Sequence, residues 1–168
     1  EHALAAGPSP TQIPLEEGGL MSPRDRDAGR GLEVADVAPA LARHATSKIA
    51  SLDDLERVGN MGFRGEALAS IAAVARVTLT SRARGAAHAW RLGGELNEQS
   101  ENAEPEPAAL VSGTVVEMRD LYFNTPARRK FLKSEATEFA HCAEAVKGIA
   151  PAFPQVAITL THNGRNAL

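Results

Sequence analysis

The chain has one cysteine, no long apolar run and little net charge, and each shortage removes a class of protein. The single thiol, Cys142, excludes an internal disulfide framework and a cysteine zinc cluster. No apolar run approaches the length of a membrane span and no stretch has the pattern of a signal peptide, so we expect a cytoplasmic protein with no membrane partner. A formal net charge of -3 means that any contact with nucleic acid must be local.

What remains is the composition of an ordinary soluble domain. With 168 residues, 43% of them apolar and 23% charged, the chain is long enough to bury a core. It opens on Glu1 rather than methionine, and residues 158–164 predict a strand entering a hairpin turn whose second strand has barely begun at Leu168. We therefore expect residues 1–168 to be one partial domain, truncated at both ends.

The most informative stretch is residues 62–68, Gly-Phe-Arg-Gly-Glu-Ala-Leu. Its two glycines allow a sharp turn and a close approach to a ligand, and the run from Glu66 to Val74 favours a helix. A glycine loop that feeds a helix start exposes backbone N–H groups and the positive end of the helix dipole, which suits a phosphate. Taken alone, the same pattern is also that of an ordinary tight connection.

Three segments in order carry a resemblance: ARHATSKI at 42–49, GFRGEAL at 62–68 and DLYFNTPARRKFL at 120–132. Together they resemble the MutL family of DNA mismatch repair proteins, which belongs to the ATPase group that includes DNA gyrase and the sensor histidine kinases. The close resemblance spans residues 41–164. It implies an α/β (α+β) fold, a two-layer sandwich with a mixed, mostly antiparallel sheet and helices on one face, forming part of an N-terminal ATPase domain.

The resemblance also implies a function. A family member binds ATP and Mg²⁺, closes a lid that corresponds to residues 45–65, and forms a homodimer through its N-terminal domains. The closed state links a mismatch-recognition protein to downstream repair enzymes.

An adenine site is predicted at Asp27-Ala28-Gly29-Arg30-Gly31. A carboxylate can accept a hydrogen bond from the exocyclic amino group of adenine, and the two glycines let a flat base lie against the backbone. The pattern is common in turns, but its place ahead of the Gly62 loop matches the adenine motif of the family. Thr114, at the start of a predicted strand over 113–120, matches the last nucleotide motif, in which a hydroxyl near the base supports the aspartate.

The ATP phosphates are assigned to two further segments, residues 46–48 and residues 62–68. Thr46, Ser47 and Lys48 supply two hydroxyls and a cation, although they could also be the polar end of a helix. The full predicted ATP site is Asp27, Gly29, Gly31, Thr46, Ser47, Lys48, Gly62, Phe63, Arg64, Gly65, Glu66, Ala67, Leu68 and Thr114.

The catalytic and metal residues of the family are not matched. By position, the glutamate that activates water precedes Glu1, so no catalytic residue is assigned. His2 falls where the family has the asparagine that holds Mg²⁺, and Ala5 replaces an aspartate. Mg²⁺ prefers oxygen ligands and imidazole suits softer metals, so His2 is either an altered metal ligand or a solvent-facing residue.

A basic cluster follows the last resembling segment: Arg128, Arg129, Lys130 and Lys133. It could contact DNA phosphates or form a solvated face. Thr125 and Pro126 predict the start of the helix that carries it, and Ser134 predicts the start of a longer amphipathic helix.

Elsewhere the pattern gives a coarse secondary structure. The resemblance predicts a hairpin over 8–26 that turns at 17–19, whereas its four prolines favour short, irregular or edge strands. Asp36 is predicted to cap a helix over 37–44. Residues 76–81 and 87–92 are predicted strands, with Trp90 packing, and most of 93–112 a loop.

Three functions remain open at this stage. The first is an ATP-hydrolysing mismatch-repair component. The second is a diverged nucleotide-binding module without hydrolysis, favoured by His2, Ala5 and the prolines of 8–26. The third is a non-enzymatic DNA or protein interaction domain on the same fold, favoured by the basic cluster.

Overall fold

The structure is a computed structural model and describes residues 9–20, 24–42, 66–94 and 104–168. These residues form one mixed sheet with the strand order β5-β4-β3-β6-β2-β1-β7-β8. The strands are β1 (Thr11–Leu15), β2 (Arg24–Asp27), β3 (Arg76–Arg82), β4 (Ala89–Gly94), β5 (Glu106–Ala108), β6 (Gly113–Arg119), β7 (Ile158–His162) and β8 (Arg165–Asn166). Neighbouring strands are antiparallel except for the parallel pair β1 and β7. The predicted mixed, mostly antiparallel sheet is confirmed.

The described helices are α1 (Val34–Leu41), α2 (Ala67–Ala72), α3 (Pro126–Arg129) and α4 (Glu135–Ile149), with 3-10 turns at Glu17–Gly19 and Ala150–Ala152. The alternating burial of β3 shows which face the helices cover, because Val77 and Leu79 are buried while their neighbours on the strand are only partly so. These two residues pack in one cluster with Val37 and Leu41 of α1. The core therefore lies between the inner face of the sheet and the helices.

The predicted hairpin over residues 8–26 is confirmed, and its strands are short, with five and four residues, as the prolines favoured. Neither strand lies at an edge of the sheet. β1 pairs antiparallel with β2, and both strands lie inside the sheet. Pro14 is tolerated because the Thr11 N–H and the Leu15 carbonyl bond toward the β7 side, at 2.9 Å each, so that the nitrogen of Pro14 faces the β2 side. There the pairing ends at Gln12, and no ladder bond is lost to the proline.

Helix α1 begins three residues earlier than predicted. Glu33, in an extended conformation, occupies the N-cap position, and Asp36 lies in the first turn instead of capping it. The side chains of Val37 and Leu41, one turn apart and buried, hold the helix on the sheet despite Pro39. Burial of this apolar pair, rather than the capping signal, sets where the helix forms.

The described part of the segment over 93–112 contains a strand that the sequence did not indicate. β5 has three residues with Pro107 in the middle, and it pairs with β4 at the edge of the sheet. An edge position leaves the proline nitrogen free to face away from the ladder. The predicted strands at 76–81, 87–92 and 113–120 are confirmed with shifts of one or two residues.

The two predicted helix starts near the C-terminus have different outcomes. Ser134 caps α4 as predicted, because its Oγ accepts a hydrogen bond from the Thr137 N–H at 3.3 Å. Thr125 does occupy the N-cap position of α3 with Pro126 at the first helical position, but its hydroxyl makes no capping bond. This helix is only four residues long.

Candidate functional site

Asp27 ends β2 in the interior of the sheet. Its neighbours are β1 on one side and β6 on the other, and the residue is only 6% exposed. The Gly29 N–H donates to its Oδ1 at 2.8 Å. Burial raises the pKa of the Asp27 carboxyl above its usual value, and the Gly29 hydrogen bond opposes that rise. The result is a carboxylate held at low dielectric with one oxygen fixed by the backbone.

A row of hydroxyl-bearing residues flanks Asp27 on the inner face of the sheet. In register across four strands stand Thr11 of β1, Asp27 of β2, Thr114 of β6 and Ser81 of β3. Residues paired in this way point to the same face, so the structure brings the predicted Thr114 beside the predicted Asp27. An apolar core is interrupted here by polar groups that can read the edge of a ligand.

Ser81 is a site residue that the sequence analysis missed. It is fully buried, and its Oγ lies 2.9 Å from the Thr114 Oγ1. A signal was available, because Ser81 falls on the inward phase of β3 after Val77 and Leu79, where an apolar residue is expected. A polar residue at such a position must find partners.

The two glycines of the Asp-x-Gly-x-Gly segment lie in the loop that follows β2. Gly29 supplies the backbone N–H that bonds Asp27. Gly31 has a φ of 71°, and a Cβ there would overlap the carbonyl oxygen of Arg82. Gly31 is therefore required by the close packing of the loop on the end of β3.

Gly113 has a similar constraint at the start of β6. Its φ is 78°, and a Cβ would overlap the backbone carbonyl of Asp27. Close approach of the two strands at this point places Thr114 next to the carboxylate.

The predicted phosphate segments fall mostly outside the described residues. Thr46, Ser47 and Lys48 lie outside them, as do Gly62, Phe63, Arg64 and Gly65. Glu66 is the N-cap residue of α2, and its carbonyl accepts the Ser70 N–H at 2.8 Å. Ala67 opens the helix and Leu68 packs against the core cluster. The helical part of the glycine-loop prediction is thus confirmed, with the helix ending at Ala72.

The basic cluster lies on the surface. Arg128, Arg129, Lys130 and Lys133 are all exposed, and Phe131 among them is 79% exposed. The preceding turn is fixed to the end of α2, because the Tyr122 N–H donates to the Val74 carbonyl at 2.6 Å and the Asn124 Nδ2 to the Ala73 carbonyl at 2.9 Å. The turn that precedes the basic cluster is therefore held against the end of α2.

His2, the metal candidate, lies outside the described residues, and within the described ranges no three Asp, Glu, His or Cys side chains come together as metal ligands. The described part of the chain likewise contains no helix long and apolar enough to cross a membrane.

Curated proteins similar to this chain are bacterial DNA mismatch repair proteins MutL, although no family model matches it. The chain is 56% identical to MutL of Thiobacillus denitrificans over 171 aligned positions and 54% identical to that of Azotobacter vinelandii over 168, and each alignment covers 100% of the chain. The chain spans only about a quarter of these relatives, 28% and 26% of their lengths.

Solved structures similar to this chain also include a MutL protein. The Aquifex aeolicus MutL ATPase domain complexed with ADP matches with a TM-score of 0.72 and 29% identity, over 99% of this chain and 57% of that one. A second, titled as the N-terminal domain of a DNA repair protein, matches with a TM-score of 0.74 and 24% identity, which supports the fold alone.

Proposed function

The chain belongs to the MutL family of DNA mismatch repair proteins, and on this premise we propose that it binds ATP with the adenine at the end of β2. The observation that carries the proposal is the buried Asp27 carboxylate in register with Thr114. The solved relative that resembles this chain holds ADP in its ATPase domain. We further propose that residues 1–168 are part of such an N-terminal ATPase domain.

The chemistry of the base contact follows from the carboxylate. Gly29 occupies Oδ1, and in the described residues no donor is found at Oδ2. The exocyclic amino group of adenine is a donor that can bond this oxygen, and a charged acceptor strengthens the bond in a site of low dielectric. A base with a carbonyl at the same position brings a second acceptor and is repelled. Asp27 therefore selects adenine over guanine.

The phosphates are assigned by family pattern to Thr46, Ser47 and Lys48 and to residues 62–68, which end on the first turn of α2. Residues 45–65 are the proposed lid, which a bound triphosphate orders. ATP-dependent dimerisation, and contact with a mismatch-recognition protein and downstream repair enzymes in the cytoplasm, complete the proposal. These steps belong to the whole protein, of which this chain matches about a quarter.

The family pattern offers His2 as the Mg²⁺ ligand, and this residue lies outside the described part of the structure. The imidazole of His2 is a poor ligand for Mg²⁺, and the described residues contain no cluster of metal ligands. No step of the proposal runs through a protein-bound metal. By the family pattern, the glutamate that hydrolysis requires precedes Glu1. ATP turnover is therefore measured on a protein extended upstream to include that glutamate, and the result separates an ATPase from a nucleotide-binding module that does not hydrolyse ATP. Absence of turnover there contradicts the first function and supports the second.

Calorimetry of ATP binding in the presence of Mg²⁺ tests the proposal directly. We expect binding by the unsubstituted protein and its loss on Asp27→Ala. Glu144→Ala is the control, because it removes an exposed carboxylate on α4 that pairs only with Lys147 among the described residues. Circular dichroism verifies the fold of each variant. ATP binding that survives Asp27→Ala, or is absent from the folded parent, refutes the proposal.

A second activity, DNA binding, is favoured by the exposed basic cluster. Arg128 and Arg129 project from a four-residue helix and make no ion pair within the described part of the chain. If each contacts a phosphate, Arg128→Ala and Arg129→Ala each reduce the slope of log affinity against log salt by about 1. Lys147→Ala, which removes a cation on α4, is the control. An unchanged slope in both arginine variants removes DNA contact from this surface.

A further inference from the structure

The hydroxyl of Ser81, on β3, contacts two separate parts of the chain: the loop at Leu32 and the start of β6. Ser81 is 0% exposed, and its Oγ accepts the Leu32 N–H at 2.8 Å. The same oxygen lies 3.2 Å from the Gly113 carbonyl and 2.9 Å from the Thr114 Oγ1. A buried hydroxyl is costly unless it is bonded, and this one is satisfied on three sides.

These partners are the two walls of the proposed adenine pocket. Leu32 closes the loop that begins after Asp27 and contains Gly29, and Gly113 and Thr114 start the strand that faces Asp27. Ser81 belongs to neither wall, because it lies on β3 beyond Thr114. One side chain behind the pocket thus fixes the distance between the loop and β6.

The proton of Ser81 also determines the direction of the Thr114 hydroxyl. If Ser81 donates to the Gly113 carbonyl, Thr114 donates to Ser81 and turns its lone pairs toward the base. If Ser81 donates to Thr114, the Thr114 proton is free to point away from Ser81. In the first arrangement Ser81 fixes the Thr114 proton, and in the second it keeps that proton away from the side of Thr114 that faces Ser81.

We propose that Ser81 is a positioning residue for recognition of the amino edge of adenine, acting through Thr114 and the loop after Asp27. The inference deepens the proposed function and rests on ATP binding at Asp27. Ser81 itself is too deeply buried to touch the nucleotide. We expect loss of the Ser81 hydroxyl to lower the affinity for ligands that have the adenine amino group, and to leave the binding of the phosphates unchanged.

The test compares two ligands that differ only at the base edge. Purine riboside triphosphate has the ring and phosphates of ATP but lacks the exocyclic amino group. We expect Ser81→Ala to weaken ATP about 10-fold, the equivalent of one hydrogen bond, and to weaken purine riboside triphosphate by less than about 2-fold, because an effect at the amino edge is absent from that ligand. Thr80→Ala is the matched control, since Thr80 is the adjacent residue of β3 on the outer face.

Two further variants keep the test decisive. Ser81→Cys preserves the volume with a weak donor and acceptor, so it replaces Ser81→Ala if the latter does not fold. Thr114→Val removes one of the two groups through which Ser81 acts, so Ser81→Ala added to it is expected to reduce discrimination by less than Ser81→Ala does alone; equal reductions would remove Thr114 from the positioning role.

The possible outcomes distinguish failure of the Ser81 role from failure of the proposed ATP binding at Asp27. Discrimination between the two ligands that survives loss of the Ser81 hydroxyl, or equal weakening of both, overturns the positioning role and leaves ATP binding at Asp27 intact. A parent protein that binds neither ligand, or both equally, overturns the adenine site and the role of Ser81 together.

Discussion

Gly31→Ala is a substitution for which the structure predicts a large backbone effect. Gly31 has a positive φ of 71°, a region in which an L-residue is strained. A Cβ would also overlap the Arg82 carbonyl oxygen and lie 2.9 Å from the Ala83 Cα. These are backbone atoms at the end of β3, so the new methyl group cannot be accommodated by rotating a side chain. The loop or the strand must move.

The cost can be worked from the bonds that such a movement breaks. The strained φ alone costs about 1 kcal/mol. The loop is held on β3 and the following turn by the bond from the Leu32 N–H to the Ser81 Oγ and by that from the Arg84 N–H to the Arg30 carbonyl. Each contributes about 1 kcal/mol. We therefore expect Gly31→Ala to lower the free energy of unfolding by about 3 kcal/mol.

Gly85→Ala is the matched control. Gly85 also has a positive φ, of 85°, but a Cβ there meets nothing within 4 Å. This substitution carries the φ strain without the overlap and should cost about 1 kcal/mol.

Urea unfolding followed by circular dichroism measures both variants against the parent. A difference of about 2 kcal/mol between Gly31→Ala and Gly85→Ala is expected. ATP affinity should fall only for Gly31→Ala, because its loop carries the Gly29 N–H that bonds Asp27. Equal losses of stability in the two variants would refute the close packing of the loop on β3 and, with it, the argument for the pocket wall.

Three other substitutions test the pocket, a helix start and the core. Burial raises the pKa of Asp27 in the folded protein above the usual 3.8. The folded protein therefore keeps this proton over a pH range in which the unfolded chain has lost it. As a result, the contribution of Asp27 to stability falls as the pH rises from about 4 through the folded-state pKa. Asp27→Asn should remove that fall and stabilise the protein at pH 7 by about 0.5–2 kcal/mol, measured by urea unfolding at pH 4 and pH 7; an equal change at both pH values contradicts the burial argument. Ser134→Ala removes the α4 cap and should cost about 1 kcal/mol in the same assay; Ser134→Asp should restore it, and a loss that aspartate does not restore counts against capping. Leu79→Ala opens a cavity at a residue that is 1% exposed and should cost about 2–5 kcal/mol, whereas a cost below about 1 kcal/mol would place Leu79 outside the core.

The sequence patterns predicted correctly those strands and helix ends that depend on residues close together in the chain. The alternation of residues 76–81 and 113–120 gave two strands, and Ser134 gave a cap, because each depends on residues close in sequence. The helix at Asp36 was misplaced because burial of Val37 and Leu41 against a distant sheet outweighed the cap. β5 could not be predicted from three residues around Pro107, since only pairing with β4 makes them a strand.

The proposed adenine site shows the same division between local and distant causes. The Asp-x-Gly-x-Gly segment indicated Asp27, Gly29 and Gly31 from spacing and resemblance, but not the burial of the carboxylate. That burial depends on Thr114, which lies on a strand far along the chain and is brought beside Asp27 by the pairing of β2 with β6. The inward phase of Ser81 was visible in the sequence, although its partners were not, because they come from the Leu32 loop and from β6.

The energetic position of Asp27 argues for a ligand rather than for a structural role. A carboxylate buried between two strands is penalised by desolvation, which also raises its pKa, and among the described residues a single backbone N–H offsets that penalty. An apolar residue of similar size, or Asn, would serve the sheet better at neutral pH. The Thr114 and Ser81 hydroxyls extend the polar row beside Asp27, and they bond to each other. Polar groups that reduce stability and converge at one point are those expected where binding, and not folding, determines which residues are kept.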